Sequence, residues 1–238
     1  MLLILKRLRR EILKENRFGK YLLYAIGEIC LVVIGILIAL QINNWNTDRI
    51  LKEDAKKSYT NIKRQVLDDQ QELMTVKEFN NKLSRAYEYA LRISVGKDKD
   101  RIDSLALVAM GLSQYSDFHT SGDIYATLVN SGDLKLLKNK EITAMIQKLE
   151  STYIYINKLE EMHWELIMTE VSDELRGVIN YTTHEIQFPE KLYALEMQNI
   201  FYEIIGLTKM KNSIYTKALE EIDLLISKIE EELLVTEN

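Results

Sequence analysis

Residues 21–42 read YLLYAIGEICLVVIGILIALQI, with Glu28 the single charge. As a helix this stretch is roughly 33 Å long, enough to cross a hydrocarbon core of about 30 Å. The core helix of a soluble protein rarely runs this long and this apolar. A cleaved signal peptide has a shorter apolar region followed by a small-x-small site. Here the run passes into Gln41-Ile42-Asn43-Asn44-Trp45 with no such site. The lone cysteine, Cys30, follows Gly27-Glu28-Ile29, a poor lipoprotein signal, and has no second cysteine for an internal disulfide. The segment reads as an uncleaved signal anchor, a transmembrane helix over 21–43 of a single-pass membrane protein.

Charge on either side gives the orientation. Residues 1–20 hold seven Lys/Arg and two Glu, a net of +5, and the remainder of the chain carries −10. Basic flanks stay in the cytoplasm, so the C-terminal body is expected outside it. Tyr21, Tyr24 and Trp45 suit the two membrane interfaces, Trp45 as an interface anchor. Residues 2–16 place Leu2, Leu5, Leu8, Ile12 and Leu13 on one helical face, as an amphipathic helix on the inner leaflet does. A plain basic flank is the alternative. The acidic body argues against nucleic-acid binding, which needs a basic surface.

An ionisable residue inside a span is costly, so Glu28 is a functional candidate by default. At 100° per residue its face also carries Tyr21, Tyr24, Gly35, Ala39 and Asn46. Gly35-x-x-x-Ala39 is a small-x-x-x-small pair that permits close helix approach. The opposite face is Leu, Ile and Val. This is the pattern of a helix-packing stripe. Glu28 then serves either as hydrogen-bonding glue in a homo-oligomer or as a proton or ion relay.

Beyond the span, 47% hydrophobic content, one Pro and nine Gly favour an ordered, helix-rich body. Helical spacing runs through Leu51, Ala55, Tyr59, Ile62, Val66, Leu73, Leu83, Tyr87 and Ala90 up to a turn at Gly96–Asp100. A short helix is expected over about 101–115. Ser121-Gly122-Asp123 and Ser131-Gly132-Asp133 bracket a further one, each with a glycine to end an element and an aspartate to cap the next. Two long amphipathic helices follow, over about 141–179 and 190–234, with Pro189 in the first turn of the second. No stretch alternates as a strand would. The fold class is all-α: a transmembrane helix at the N-terminus followed by an antiparallel helical bundle with long helices. The domains are a cytoplasmic basic amphipathic segment (1–20), the transmembrane helix (21–43) and a periplasmic helical bundle (44–238).

Motifs for chemistry are scarce. Glu160-x-x-His163 is half of a carboxylate-bridged di-iron site, and His119 and His184 have no Glu three positions earlier. His163-Trp164 reads as a packed aromatic corner, and the thirteen tyrosines read mostly as core. Glu220-Glu221 and Glu230-Glu231-Glu232 read as solvated helix faces. Nucleotide, nucleophile-elbow and zinc-protease signatures are missing. The expectation is no enzyme, no cofactor and no metal.

The run Tyr24-Ala25-Ile26-Gly27-Glu28-Ile29, then Leu31 through Leu40 and Gln41-Ile42-Asn43-Asn44-Trp45-Asn46, resembles an uncharacterised family of small membrane proteins from Bacteroidota (flavobacteria and relatives), a domain of unknown function. Leu128-Val129-Asn130-Ser131-Gly132-Asp133-Leu134 is similar to a stretch of that family's outer domain. The resemblance implies a Gram-negative inner membrane and a periplasmic domain, and brings no activity. Function is therefore expected to be that of a membrane-anchored scaffold, homo-oligomeric through its span, whose periplasmic bundle meets another envelope protein. One alternative is an ion- or proton-coupled channel or motor subunit using Glu28. The other is a periplasmic ligand sensor acting through a partner.

Overall fold

The computed structural model describes residues 17–183 and 185–237, and nearly all of them are helical. The amphipathic helix expected over 2–16, and His184, lie outside the described residues. Six α-helices follow in order: α1 Arg17–Gly96, α2 Ile102–Met110, α3 Ile124–Ser131, α4 Lys140–Leu166, α5 Ser172–Arg176 and α6 Leu195–Glu237. Two compact units divide the chain, Met1–Asp54 and Ala55–Asn238, and α1 contributes to both. The described part of the first unit is helix, and its side chains from Lys20 to Glu53 are all exposed.

In the second unit three long helices form the bundle. Ion pairs and hydrogen bonds fix their directions. Along α1, Lys63, Gln70, Asn80 and Glu88 meet Glu230, Asp223, Asn212 and Lys209 of α6 in descending order, so the two helices are antiparallel. Along α4, Asn139, Lys148 and Glu160 meet Glu232, Glu221 and Tyr215, again in descending order. The apolar stripes close into two cores. One gathers Ala55–Val76 of α1, Ile142–Leu159 of α4 and Ile214–Ile229 of α6. The other gathers Leu83–Ile93 of α1 and Met197–Ile205 of α6 with α2 and residues 167–179. Each fully buried Leu, Ile or Phe contributes about 1.5–3 kcal/mol of transfer free energy, so these stripes hold the helices together.

The structure corrects several expectations. Leu51 is 43% exposed, and burial on α1 begins at Ala55. The helix expected to reach residue 115 ends at Met110 with a 3-10 turn over Gly111–Ser113. The Tyr87 hydroxyl lies 3.1 Å from the Gly111 carbonyl, which also accepts from Gln114 N, and 3.0 Å from the Gln114 carbonyl, so α1 holds this turn in place. Residues 114–120 then run extended beside α1, so Gly122 ends no helix; Ser121 Oγ donates to the Gln65 carbonyl at 3.2 Å. Asp123 caps α3 by accepting from Ala126 N at 2.8 Å, and Gly132 ends it with φ +79°, where other residues are strained.

The helix expected over 141–179 stops being regular after Leu166. A π-turn over Ile167–Val171 leads to α5, and a two-residue antiparallel pairing joins Ile179–Asn180 to Glu185–Ile186. Pro189 opens a separate 3-10 turn to Tyr193 rather than α6, because Ala194 is extended. Only Tyr59, Tyr87, Tyr153 and Tyr215 of the thirteen tyrosines are buried. Glu221 is buried rather than solvated, held by Thr152 Oγ1 at 2.7 Å and Lys148 Nζ at 3.2 Å. Oε2 takes the Thr152 hydrogen bond, while Oε1 has no hydrogen bond and is compensated by the charges of Lys148 and Lys217.

Asn139 caps α4 through Glu141 N at 3.0 Å and Ile142 N, and its amide donates to Glu232 at 2.8 Å. Asn139→Ala should lower stability by about 1–2 kcal/mol in urea unfolding of the full chain in detergent. A change below about 0.3 kcal/mol would show that this cap is dispensable.

Candidate functional site

Of the residues singled out in the sequence, Glu28, Tyr21, Tyr24, Gly35, Ala39, Trp45 and Asn46 all lie on α1 within the first unit and are exposed. A Cβ added at Gly35 would meet nothing within 4 Å. Asn46 Oδ1 accepts from Arg49 Nη2 at 3.3 Å. Among the described residues α1 alone is long and apolar enough to cross a membrane. The stripe is thus exposed among the described residues.

Buried chemistry gathers elsewhere, between the two apolar cores. Each long helix interrupts its apolar stripe with polar side chains at one level: Asn80 on α1, Glu160 and His163 on α4, Thr208, Lys211 and Tyr215 on α6. The extended segment after α2 adds Ser116. Asn80 Nδ2 donates to the Thr208 carbonyl and to Asn212 Oδ1, both at 2.8 Å. Ser116 Oγ donates to Asn80 Oδ1 at 3.0 Å and sits 3.0 Å from the Tyr215 hydroxyl. Tyr215 donates to Glu160 Oε1 at 2.5 Å, and Phe118 N donates to the same oxygen at 3.1 Å. Lys211 Nζ donates to the Ser116 carbonyl at 2.7 Å and approaches His163 Nδ1 at 3.4 Å. It also lies 5.5 Å from the centre of the Tyr115 ring, a cation–π distance. With Lys211 as donor, His163 carries its own proton on Nε2, which is buried without a partner. Glu160 Oε2 is likewise buried without a partner.

Burial sets the electrostatics. Removal from water pushes the Glu160 carboxyl up to about 7, against the hydrogen bond from Tyr215 and the attraction of Lys211. Desolvation draws His163 down to about 3, helped by the Lys211 charge. Desolvation also draws Lys211 down to about 8, opposed by Glu160 and Asp117. All three groups therefore depart from their ordinary ranges in one layer, as functional sites and structural networks both do.

A surface cleft of about 410 Å³ adjoins this layer. Its walls include Tyr115, Asp117, Phe118, Glu161 and Trp164, and Glu160 lines it from inside. His163 packs edge-on against Tyr115 at 5.9 Å, with Trp164 on the same ring at 5.7 Å, so the expected aromatic corner is present. His119 is exposed beside Asp117. Among the described residues no three His, Cys, Asp or Glu side chains gather as a metal centre would require. The half-motif Glu160-x-x-His163 thus meets a lysine, not a second carboxylate pair.

Asn80, Ser116, Lys211 and Tyr215 were not legible as site residues from motifs. A signal did exist: Thr208, Lys211, Tyr215 and Ala218 keep the spacing of the buried stripe on α6, as Val76, Asn80 and Leu83 do on α1. A lysine at a stripe position is a buried lysine, which needs partners.

Comparison with known proteins gives one assignment. A family of unknown function, DUF6090, matches residues 28–213, well over half of the chain. The chain belongs to DUF6090. No curated protein and no solved structure matches it. The DUF6090 match takes in Glu28, Gly35, Ala39, Trp45 and Asn46, and also Asn80, Ser116, Glu160, His163 and Lys211. Tyr21, Tyr24 and Tyr215 fall outside its limits.

The opposed shifts give this DUF6090 protein a testable pH response. Between about 3 and 6.5 the unfolded chain protonates His163 and the folded one does not, so acidification costs stability there. Between 4.5 and about 7 the folded chain holds the Glu160 proton and the unfolded one releases it, so acidification adds stability there. The two effects offset where they overlap. Glu160→Gln removes the second, so its thermal midpoint should fall relative to the parent on going from pH 6.5 to 4.5. The slope is bounded by about 1.4 kcal/mol per pH unit. Parallel curves would contradict the assignment.

Proposed function

We propose that this protein is a membrane-anchored interaction protein of the bacterial inner membrane, assembling through its span and presenting a periplasmic helical bundle to an envelope partner. The observation that carries this reading is the outward stripe on α1. There Glu28, Gly35 and Ala39 share one face of an apolar helix, and all three are exposed among the described residues. Bare apolar side chains over this length fit lipid, and small residues in line fit a second helix. The basic head supports a cytoplasmic N-terminus. The resemblance to flavobacterial membrane proteins supports a Gram-negative envelope. No catalysis is part of the reading.

A second reading is favoured by one specific observation. A buried polar layer with two unpartnered atoms, adjoining a cleft, is the layout of a ligand sensor. Such a sensor would act through a partner protein.

Cysteine crosslinking in membranes tests the assembly. In a Cys30→Ala background, Ala39→Cys should give a crosslinked dimer, and Leu37→Cys, half a helical turn away on the opposite face, should not. Equal crosslinking at both positions would remove the one-sided interface. Glu28→Gln should retain the Ala39→Cys dimer, because an amide also hydrogen-bonds across helices. Loss of the dimer in Glu28→Gln would contradict the glue role.

Orientation is read separately from C-terminal fusions. Alkaline phosphatase, active only outside the cytoplasm, should be active, and a fluorescent protein that matures only inside should be dark. The reverse pattern would place the bundle in the cytoplasm.

A further inference from the structure

We propose that the cleft beside Glu160 binds a small organic cation, with an ammonium group as its recognised feature. This names the ligand class for the sensor reading, on which it rests.

The walls carry three acidic side chains, Asp117, Glu160 and Glu161, and no lysine or arginine. Three aromatic rings, Tyr115, Phe118 and Trp164, share the same space. Acidic groups attract a cation, and ring faces stabilise it further once water is displaced. The volume, about 410 Å³, lies within the range of small-molecule sites.

Glu160 provides the second, independent indication. It is 3% exposed, and every hydrogen bond it receives goes to Oε1, from Tyr215 and Phe118 N. Oε2 has no partner. A buried carboxyl oxygen without a donor is costly, and native proteins rarely leave one so. Lys211 does not supply the donor, since its Nζ is directed to the Ser116 carbonyl and His163. Oε2 is closed to solvent, so a ligand N–H donor reaches it from the cleft only as the exposed Asp117, Glu161 and Trp164 side chains shift to admit it.

Other ligand classes fit less well. An anion would meet three acidic groups. A hard divalent ion takes six or more oxygen ligands, and three of the nine lining residues are aromatic. A neutral aromatic ligand would use the rings and leave the Glu160 oxygen without a donor.

Burial holds the Glu160 carboxyl near 7, so binding of a cation draws it towards the ionised form and releases a proton near neutral pH. The groups facing it are Tyr215 and Lys211 from α6, His163 from α4 and Asp117 from the extended segment. Calorimetry in buffers of different ionisation enthalpy detects such release.

The experiment uses the full chain in non-ionic detergent, with Trp45→Phe so that Trp164 is the sole tryptophan reporter. Benzylamine, choline and putrescine are titrated, with benzyl alcohol, benzoate and calcium chloride as comparators. The expected result is a saturable Trp164 fluorescence change with at least one ammonium compound and none with the comparators. Glu160→Gln should weaken that binding about tenfold or more. Where Glu160→Gln fails to fold, the exposed double variant Asp117→Asn with Glu161→Gln carries the same test. It should weaken binding while the helical circular dichroism stays that of the parent.

Four results would overturn the proposal. One is no saturable change with any ammonium compound, leaving Oε2 to a buried water. Another is equal binding of benzyl alcohol and benzylamine. A third is a response to calcium alone. The last is undiminished ammonium binding in the folded variants. None of these touches membrane anchoring, so failure here and failure of the anchoring scheme are distinguishable.

Discussion

Lys211 is a lysine with no exposed surface, and the helices around it are arranged to replace what water would provide. Stripping an ammonium of solvent costs several kcal/mol unless the geometry returns it. Here the return comes from the Ser116 carbonyl, the lone pair of His163, the Tyr115 ring and the nearby Glu160 carboxyl. Those groups come from two stretches of the chain, α4 and the segment after α2. A single buried charge therefore ties α4, α6 and the segment after α2 to one arrangement, and Ser116 passes the tie on to Asn80 of α1.

Apolar stripes alone leave helix register loosely specified, because one Leu or Ile contact resembles another. The polar layer removes that freedom. A one-turn slip of α1 against α6 would strip Asn80 of the Thr208 carbonyl and Asn212, leaving several buried polar groups unpaired. Such a layer stabilises less than a hydrophobic one of the same volume, and favours one alignment over its neighbours. The π-turn at Ile167–Val171 begins just after His163. There the extra residue lets the ring stay on the polar layer while Ile167 and Val171 still reach the second core.

The outline of the fold was legible because its signals are local. Gly96 marks the end of α1, Asp123 caps α3, and Gly132 takes a left-handed conformation. The stripe from Ala55 to Ala90 and that from Ile204 to Ile229 followed helical spacing. Boundaries failed where distant contacts decide them. Tyr87 meets the end of the α2 region from across the bundle, and Glu221 is buried because α4 brings Thr152 and Lys148 to it. The polar layer was invisible to motif reading for the same reason. Glu160 and His163 are neighbours on one helix, but Lys211, Ser116 and Asn80 join them only through the tertiary fold. The stripe on α1 was read from spacing alone, and those residues are exposed on the helix.

The most direct test of this account is the titration of Lys211 itself, followed by NMR of the lysine side-chain Cε and Nζ nuclei in the full chain. One lysine should titrate near 8, well below the rest, and its signal should vanish in Lys211→Met. If all lysines titrate together at their ordinary value, Lys211 is in water, and the buried polar layer is not the feature that organises the bundle.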